Sequence, residues 1–337
     1  PLVSGITRRL GRRRALWLAA ATPLVATGGF LLTDALALWF VFNLLAGMAG
    51  GLRWVLAEAA VAEFSPPGQR GRYVGLFETM VGMTFVLIIA GIDLSVGSVM
   101  ALAAATSAAA ILQWGWTVPA AAALALATGL VCGTITGTIS VAWRLPSFIV
   151  SLGMLEAVRG SAYVVTDSRT QYVGDAISWL SAPFFGGISF AFLLAVVLVV
   201  VAQLVLSRTV FGRCVVGIGT NEEAMRLAGV DPRPIRIIVF AVTGLLAGLA
   251  GLMQSARLEA ADPNAGTGME LQVIAAVVIG GTSLMGGSGS VIGAQIAMTV
   301  GVLAAALSQG KLVGHEVDYI VGLGGTGAIA TLLYLSI

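Results

Sequence analysis

The chain has 337 residues, 58% of them hydrophobic and only 10% charged, and a mean hydropathy of +0.98. A soluble domain carries roughly a quarter charged residues, so this composition excludes a soluble globule and makes lipid the solvent. Net charge is 18 − 16 = +2, too small to imply nucleic acid. The single histidine, His315, and two distant cysteines, Cys132 and Cys214, exclude a histidine-based metal cluster or triad, a CxxC zinc site and a disulfide framework.

Stretches of about 20 apolar residues can span a bilayer as helices. The expected spans are 16–33, 36–57, 73–92, 96–112, 117–142, 146–165, 187–206, 236–258, 271–308 and 319–336. The fold class is therefore all-α: a polytopic integral membrane protein with about ten hydrophobic segments and no sheet of more than two short strands. No short apolar leader with a small-residue cleavage site is visible near Pro1, so no removable signal peptide is expected.

The first spans follow a dense basic cluster, Arg8, Arg9, Arg12, Arg13 and Arg14, which favours the cytoplasm. Arg70 and Arg72 come next, and counting two spans from the start returns them to the cytoplasm. Counting backwards from the long polar segment 207–235, also rich in arginine, puts Arg72 outside. The two counts differ by one crossing.

Asp93 stands at membrane depth, which makes it a functional candidate, and it also reads as the N-cap of span 96–112. Trp114, Trp116, Trp179, Phe184 and Phe185 are expected to mark membrane interfaces. In span 117–142, Gly129, Gly133 and Gly137 repeat every fourth residue, as do Gly244 and Gly248 in span 236–258. Such stripes let another helix approach closely. Glu156 is expected to pair with Arg159, three residues later on the same helix face. Glu78 is expected near an interface.

The segment 207–235 predicts a short helix over 221–228. Asn221 is a good N-cap, Glu222 and Glu223 suit the positive end of the helix dipole, and Gly229 suits a left-handed stop. Pro232 and Pro234 prevent continuation. Arg226 completes a charged face, with Met225 and Leu227 available for apolar docking. From the residues alone, docking on a partner and a solvated amphipathic turn both remain open.

Stretch 271–308 would be about 57 Å long as one helix, so an interruption is expected between Gly280 and Ser290. Five glycines there each disfavour helix by about 1 kcal/mol. The run is not a phosphate loop, because Gly287 stands where GxxxxGK needs lysine. With no nucleophile–base pair or carboxylate dyad either, an enzyme is not expected.

Residues 80 to about 308 resemble the permease subunit of ATP-binding-cassette sugar importers of the ribose, xylose and autoinducer-2 type. The resemblance rests on "VGMTFVLIIAGIDLSVGSVMALAAA" (81–105), "LPSFIVSLGMLEAVRGSAYVVT" (145–166), "RTVFGRCVVGIGTNEEAMRLAGV" (208–230) and "AAVVIGGTSLMGGSGSVIGA" (275–294). Residues 1–79 instead resemble a major-facilitator transporter fragment, through "GITRRLGRRRAL" and "RWVLAEAAVAEFSPPGQRGRYVGLFE". Residues 309–337 form an unassigned hydrophobic segment, and the whole reads as a composite.

The first resemblance implies a non-enzymatic, multi-pass subunit of the cell (inner) membrane that forms the translocation pathway for a small sugar. Its implied partners are an ATPase subunit, an extracytoplasmic sugar-binding protein and a second permease subunit. No cofactor is expected in this chain, because the partner ATPase would bind the ATP. Coupling to that ATPase is implied for Gly212, Arg213, Asn221, Glu222, Glu223, Arg226, Leu227 and Gly229. Asp93, Ser95, Ser98, Gly286 and Gly287 are candidates for the pathway. The alternatives are a secondary transporter of major-facilitator type, or a non-transporting composite membrane protein.

Overall fold

A computed structural model describes residues 70–177, 180, 183–185 and 188–297. The expected spans 16–33, 36–57 and 319–336, the end of 271–308, His315 and Trp179 lie outside the described residues. So do nearly all of the major-facilitator-like part and the whole C-terminal segment.

The described residues are mainly helical. In chain order they form α1 (Arg70–Ile88), α2 (Val96–Leu112), α3 (Val118–Ala142), α4 (Ser147–Val165), α5 (Phe190–Arg208), α6 (Val210–Thr220), α7 (Glu222–Leu227), α8 (Pro232–Leu258) and α9 (Met269–Ile279). A further helical stretch, α10, covers 291–297. The strands are two or three residues long: β1 (Gln171–Tyr172) pairs antiparallel with β4 (Ala260–Ala261), and β2 (Pro183–Phe185) with β3 (Ile188–Ser189). Both pairs are two-stranded, as expected for an all-α chain.

α3, α4 and α8 are each long and apolar enough to cross a membrane. α5 and α6 together are long and apolar enough to make one more, with a 71° bend between them. α2 is apolar on every side and almost wholly buried, as a helix without a polar face must be. α8 is the central post, packed against α3, α1 and α2. Glycines set how near its neighbours come. Gly129 and Gly133 of α3 lie directly against Gly244 and Gly248 of α8, and a Cβ on any of them would strike the opposite backbone. The two predicted stripes thus face each other. Gly251 meets α2 at Met100 in the same way, and Gly82 of α1 meets Thr243.

Several boundaries differ from the sequence reading. The span expected over 73–92 ends as a helix at Ile88, and the following seven residues are not helical before α2 begins. Segment 207–235 is mostly helix rather than loop, because α5 runs on to Arg208 and α8 begins at Pro232. Pro232 and Pro234 do not stop α7, which has already ended at Leu227. Pro232 opens α8, where a missing N–H costs nothing, and Asp231 caps it by accepting from Arg233 N at 3.0 Å.

α1 passes without a break across residues 79/80. Its C-terminal end meets the end of α6: a Cβ at Gly219 would strike the carbonyl of Ile88. α1 therefore starts on the opposite side from the basic segment 207–235. That agrees with the backward count for Arg72 and not with the count from the N-terminus.

Candidate functional site

Three irregular segments meet at one end of the bundle: the break 89–95 between α1 and α2, the glycine loop 280–290 between α9 and α10, and the corner between α6 and α7. Non-helical backbone at membrane depth survives only where its polar groups find partners in protein or water. The partners of the first break come from α4. Ile92 N donates to Ser147 Oγ at 2.9 Å and Leu94 N to Ser151 Oγ at 3.0 Å, while Ser151 Oγ donates back to Ile92 O at 3.3 Å. Ser147 and Ser151 are one helical turn apart, so both hydroxyls reach the same strand of backbone.

Asp93 is buried in this break. Its Oδ1 accepts from Ser95 N at 2.8 Å and from Ser95 Oγ at 2.6 Å, and Ser98 Oγ donates to Ser95 O at 2.8 Å. The expectation that Asp93 itself caps α2 is corrected: the N-cap is Ser95, with no side-chain capping bond. The carboxylate instead ties the turn just before the helix, an Asx-type closure. Asp93, Ser95 and Ser98 thus form a closed network inside the bundle.

The glycine loop lies where it was predicted. α9 ends at Ile279, and 280–290 are not helical. Gly286 and Gly287 have φ of +83° and +79°, a conformation readily open only to glycine. The adjoining pair turns the chain back so that Gly280 packs on Gly293 and Ala294. Val291 N and Ile292 N, the first amides of α10, donate to Gln203 Oε1 of α5 at 3.1 and 3.5 Å. A side-chain amide from another span thereby caps this helix.

The corner joins the two broken segments. Gly287 N donates to Ile88 O at 2.9 Å, and Gly219 fits between that carbonyl and Gly287 N so tightly that it has no room for a Cβ. Gly286 packs against Ala90 and against Gly219 O. Three residues after Gly219 α7 begins, so its base is built into both breaks.

α7 has the predicted form. Asn221 Oδ1 accepts from Ala224 N at 2.9 Å, and Gly229 follows the helix at φ +86°. Arg226 bridges Glu222 at 3.2 Å and Glu223 at 3.3 Å. Arg236 of α8 pairs with Glu222 at 2.7 Å and ties α7 to the central post. No residue of α7 is buried, and Leu227 is 82% exposed. Met225 behaves differently from expectation: its sulfur packs over Gly217 of α6, so Leu227 is left as the outward apolar group. Arg213 is exposed, whereas Gly212 is buried at the α5–α6 bend, its amide donating to Thr209 Oγ1 at 3.1 Å.

The expected Glu156–Arg159 pair is not formed. Arg159 Nη1 donates to the carbonyls of Pro263 and Ala265 at 2.7 and 2.6 Å, because those oxygens lie on the bundle side of α4. Glu156 is exposed on the other side. Trp114 and Trp116 are exposed, their ring centroids 5.4 Å apart, in the turn between α2 and α3. Trp143 is exposed at the other end of α3. The side chains of Glu78, Phe184 and Phe185 lie outside the described residues. Among the described residues no group of His, Cys, Asp and Glu could hold a metal ion.

The sequence reading missed Ser147, Ser151, Gln203 and Gly219. Gln203 carried a readable signal, an amide side chain inside an otherwise apolar span. The serine pair and Gly219 carried none, since their partners are 55–57 and more than 60 positions away in sequence.

Similarity to known proteins points the same way as this geometry. The chain is 41% identical over 230 residues to the ribose import permease protein RbsC of Escherichia coli (strain K12), covering 66% of this chain and 71% of that protein. It is 37% identical over 260 residues to the fructose import permease protein FruF of Bifidobacterium longum, covering 75% and 69%. It is 35% identical over 215 residues to the autoinducer 2 import system permease protein LsrC of Photorhabdus luminescens, covering 64% and 65%. No solved structure matches the chain. A family model described as the branched-chain amino acid transport system permease component matches residues 79–334. That range takes in most of the tail left unassigned above and stops at the edge of the major-facilitator-like part. With capped breaks, a bent span and an outward-facing short helix all inside that match, the chain belongs to this permease family and is a membrane-spanning, non-enzymatic subunit of an ATP-binding-cassette importer.

Proposed function

We propose that the chain forms one half of the translocation pathway for a small sugar in the cell (inner) membrane. A second permease subunit would form the other half, and an extracytoplasmic sugar-binding protein would deliver the substrate. A separate cytoplasmic ATPase would bind the ATP and dock on α7. The sugar class follows the relatives, whose names specify ribose and fructose import.

One observation carries the coupling role: α7 buries none of its residues, yet it is rooted in both breaks through Gly219. Its ties within the chain are Arg236 on Glu222 and Met225 over Gly217, which leave Glu223, Arg226 and Leu227 exposed for a partner. Displacement of α7 would reach Ile88 and Gly287 directly, because all three backbones touch at the corner. Asp93, Ser95 and Ser98 then hold the first break in shape, and Gly286 and Gly287 let the second flex. In our reading residues 1–79 carry the major-facilitator-like sequence and 309–337 a hydrophobic segment on either side of the 80–308 core, with α1 shared across the first boundary.

The test is a double charge reversal, Glu223→Lys with Arg226→Glu, in the full chain. The reversed α7 should lose co-purification with the cognate ATPase while the permease stays inserted and dimeric. If ATPase binding and sugar uptake both survive, α7 is not the docking element.

A further inference from the structure

α4 and α5 are both exposed along one side, but those sides differ in kind. α5 presents Leu193, Val197, Val200, Val201 and Leu204, an unbroken apolar face of the sort lipid accepts. On α4 the half nearest the basic segment is similar, with Phe148, Ile149 and Leu152 exposed. The other half is not. It exposes Gly153, Glu156, Ala157, Gly160 and Ser161 before Val164 at its end, and a Cβ added at Gly153 or Gly160 would meet nothing.

Glu156 is the tenth of the 19 residues of α4, about 14 Å from either end at 1.5 Å per residue. That is the middle of a span. Its carboxylate has no hydrogen bond or ion pair among the described residues. Arg159 is within Coulombic reach, but its Nη1 is committed to the Pro263 and Ala265 carbonyls. A carboxylate at that depth belongs on a water-filled cavity rather than on lipid. The small residues around it leave open volume where a lipid-facing helix would carry bulk.

We propose that Glu156 lines the aqueous pathway at mid-membrane and accepts hydrogen bonds from hydroxyl groups of the passing sugar. This rests on the importer reading above.

The test uses the full chain assembled with its ATPase in membrane vesicles, with Cys132→Ala and Cys214→Ser as background. Single variants Glu156→Cys, Gly153→Cys, Val197→Cys and, as the exposed control in the turn after α4, Ser168→Cys are treated with a charged methanethiosulfonate. Only a thiolate in water reacts, so Glu156→Cys and Gly153→Cys should label at least about ten-fold faster than Val197→Cys on the lipid face. Added sugar should slow both. If both label as slowly as Val197→Cys while Ser168→Cys labels fast, the face is not aqueous and the proposal fails.

Uptake tests the recognition role. Glu156→Gln, which keeps an acceptor, should raise KM with little change in kcat. Glu156→Leu should lower kcat/KM about ten-fold or more, the scale of a lost hydrogen bond to a charged group, with ATPase association intact. Unchanged uptake in Glu156→Leu would overturn the hydroxyl contact. Labelling does not depend on α7, so failure of the docking assignment and failure of this one are told apart.

Discussion

Polar side chains inside this bundle act mainly on backbone. Ser147, Ser151 and Gln203 each supply an acceptor to amides that would otherwise lie unpaired at membrane depth. Leaving a buried donor unsatisfied costs about 1–3 kcal/mol. Gln203→Leu should therefore lower the thermal midpoint of the detergent-solubilised protein, because the Val291 amide loses its acceptor. Gln203→Glu retains an acceptor and, at a pH low enough to keep the carboxyl neutral, should stay closer to the parent than Gln203→Leu. The two exchanges are similar in size, so a difference between them isolates the cap from packing.

Among the elements, α3 and α8 are joined backbone to backbone. Overpacking a tight interior costs about 1–3 kcal/mol and sometimes more, and here the obstacle is main chain, which cannot turn aside. Gly133→Val should accordingly reduce the yield of folded protein sharply. Gly153→Ala, inside α4 where a Cβ meets nothing, should leave the thermal midpoint unchanged or raise it, because Ala favours helix over Gly by about 1 kcal/mol. A denaturation series on both variants checks the contrast. The glycine stripes were legible in the sequence because their spacing repeats within one helix. The same holds for α7, whose cap, acidic first turn and terminal glycine are all local. The helix ends at Ile88 and Leu227 were less legible. An apolar run continues past the first, and the prolines beyond the second belong to the start of α8. Arg159 was misread for a different reason: its partners are carbonyls more than 100 residues away, and no side-chain pattern announces a backbone acceptor.

For the molecule as a whole, the corner at Gly219 is the route between α7 and the rest. Gly219→Ala would place a methyl group against the Ile88 carbonyl and the Gly287 amide. The expected outcome is a transporter that still binds its ATPase and hydrolyses ATP but imports sugar about ten-fold or more slowly, since even a small displacement of coupled groups can cost about 100-fold. Parallel uptake and ATPase assays on reconstituted vesicles would show whether the two activities separate. Loss of ATPase binding as well would assign Gly219 to folding rather than transmission.

The serine clasp on α4 constrains the kinematics of the whole transport cycle. Ser147 and Ser151 fasten the first break to α4 at two points a turn apart, which removes both sliding and rotation between them. The end of α1, the start of α2 and the lower half of α4 must then travel as one body. Alternation of access between those three would have to break both contacts, so the hinge is expected outside the clasp. The free side of α4 is where relative motion remains possible. A conducting transition would therefore be a displacement of this body past whatever stands opposite Glu156, with the intramolecular joint kept shut throughout.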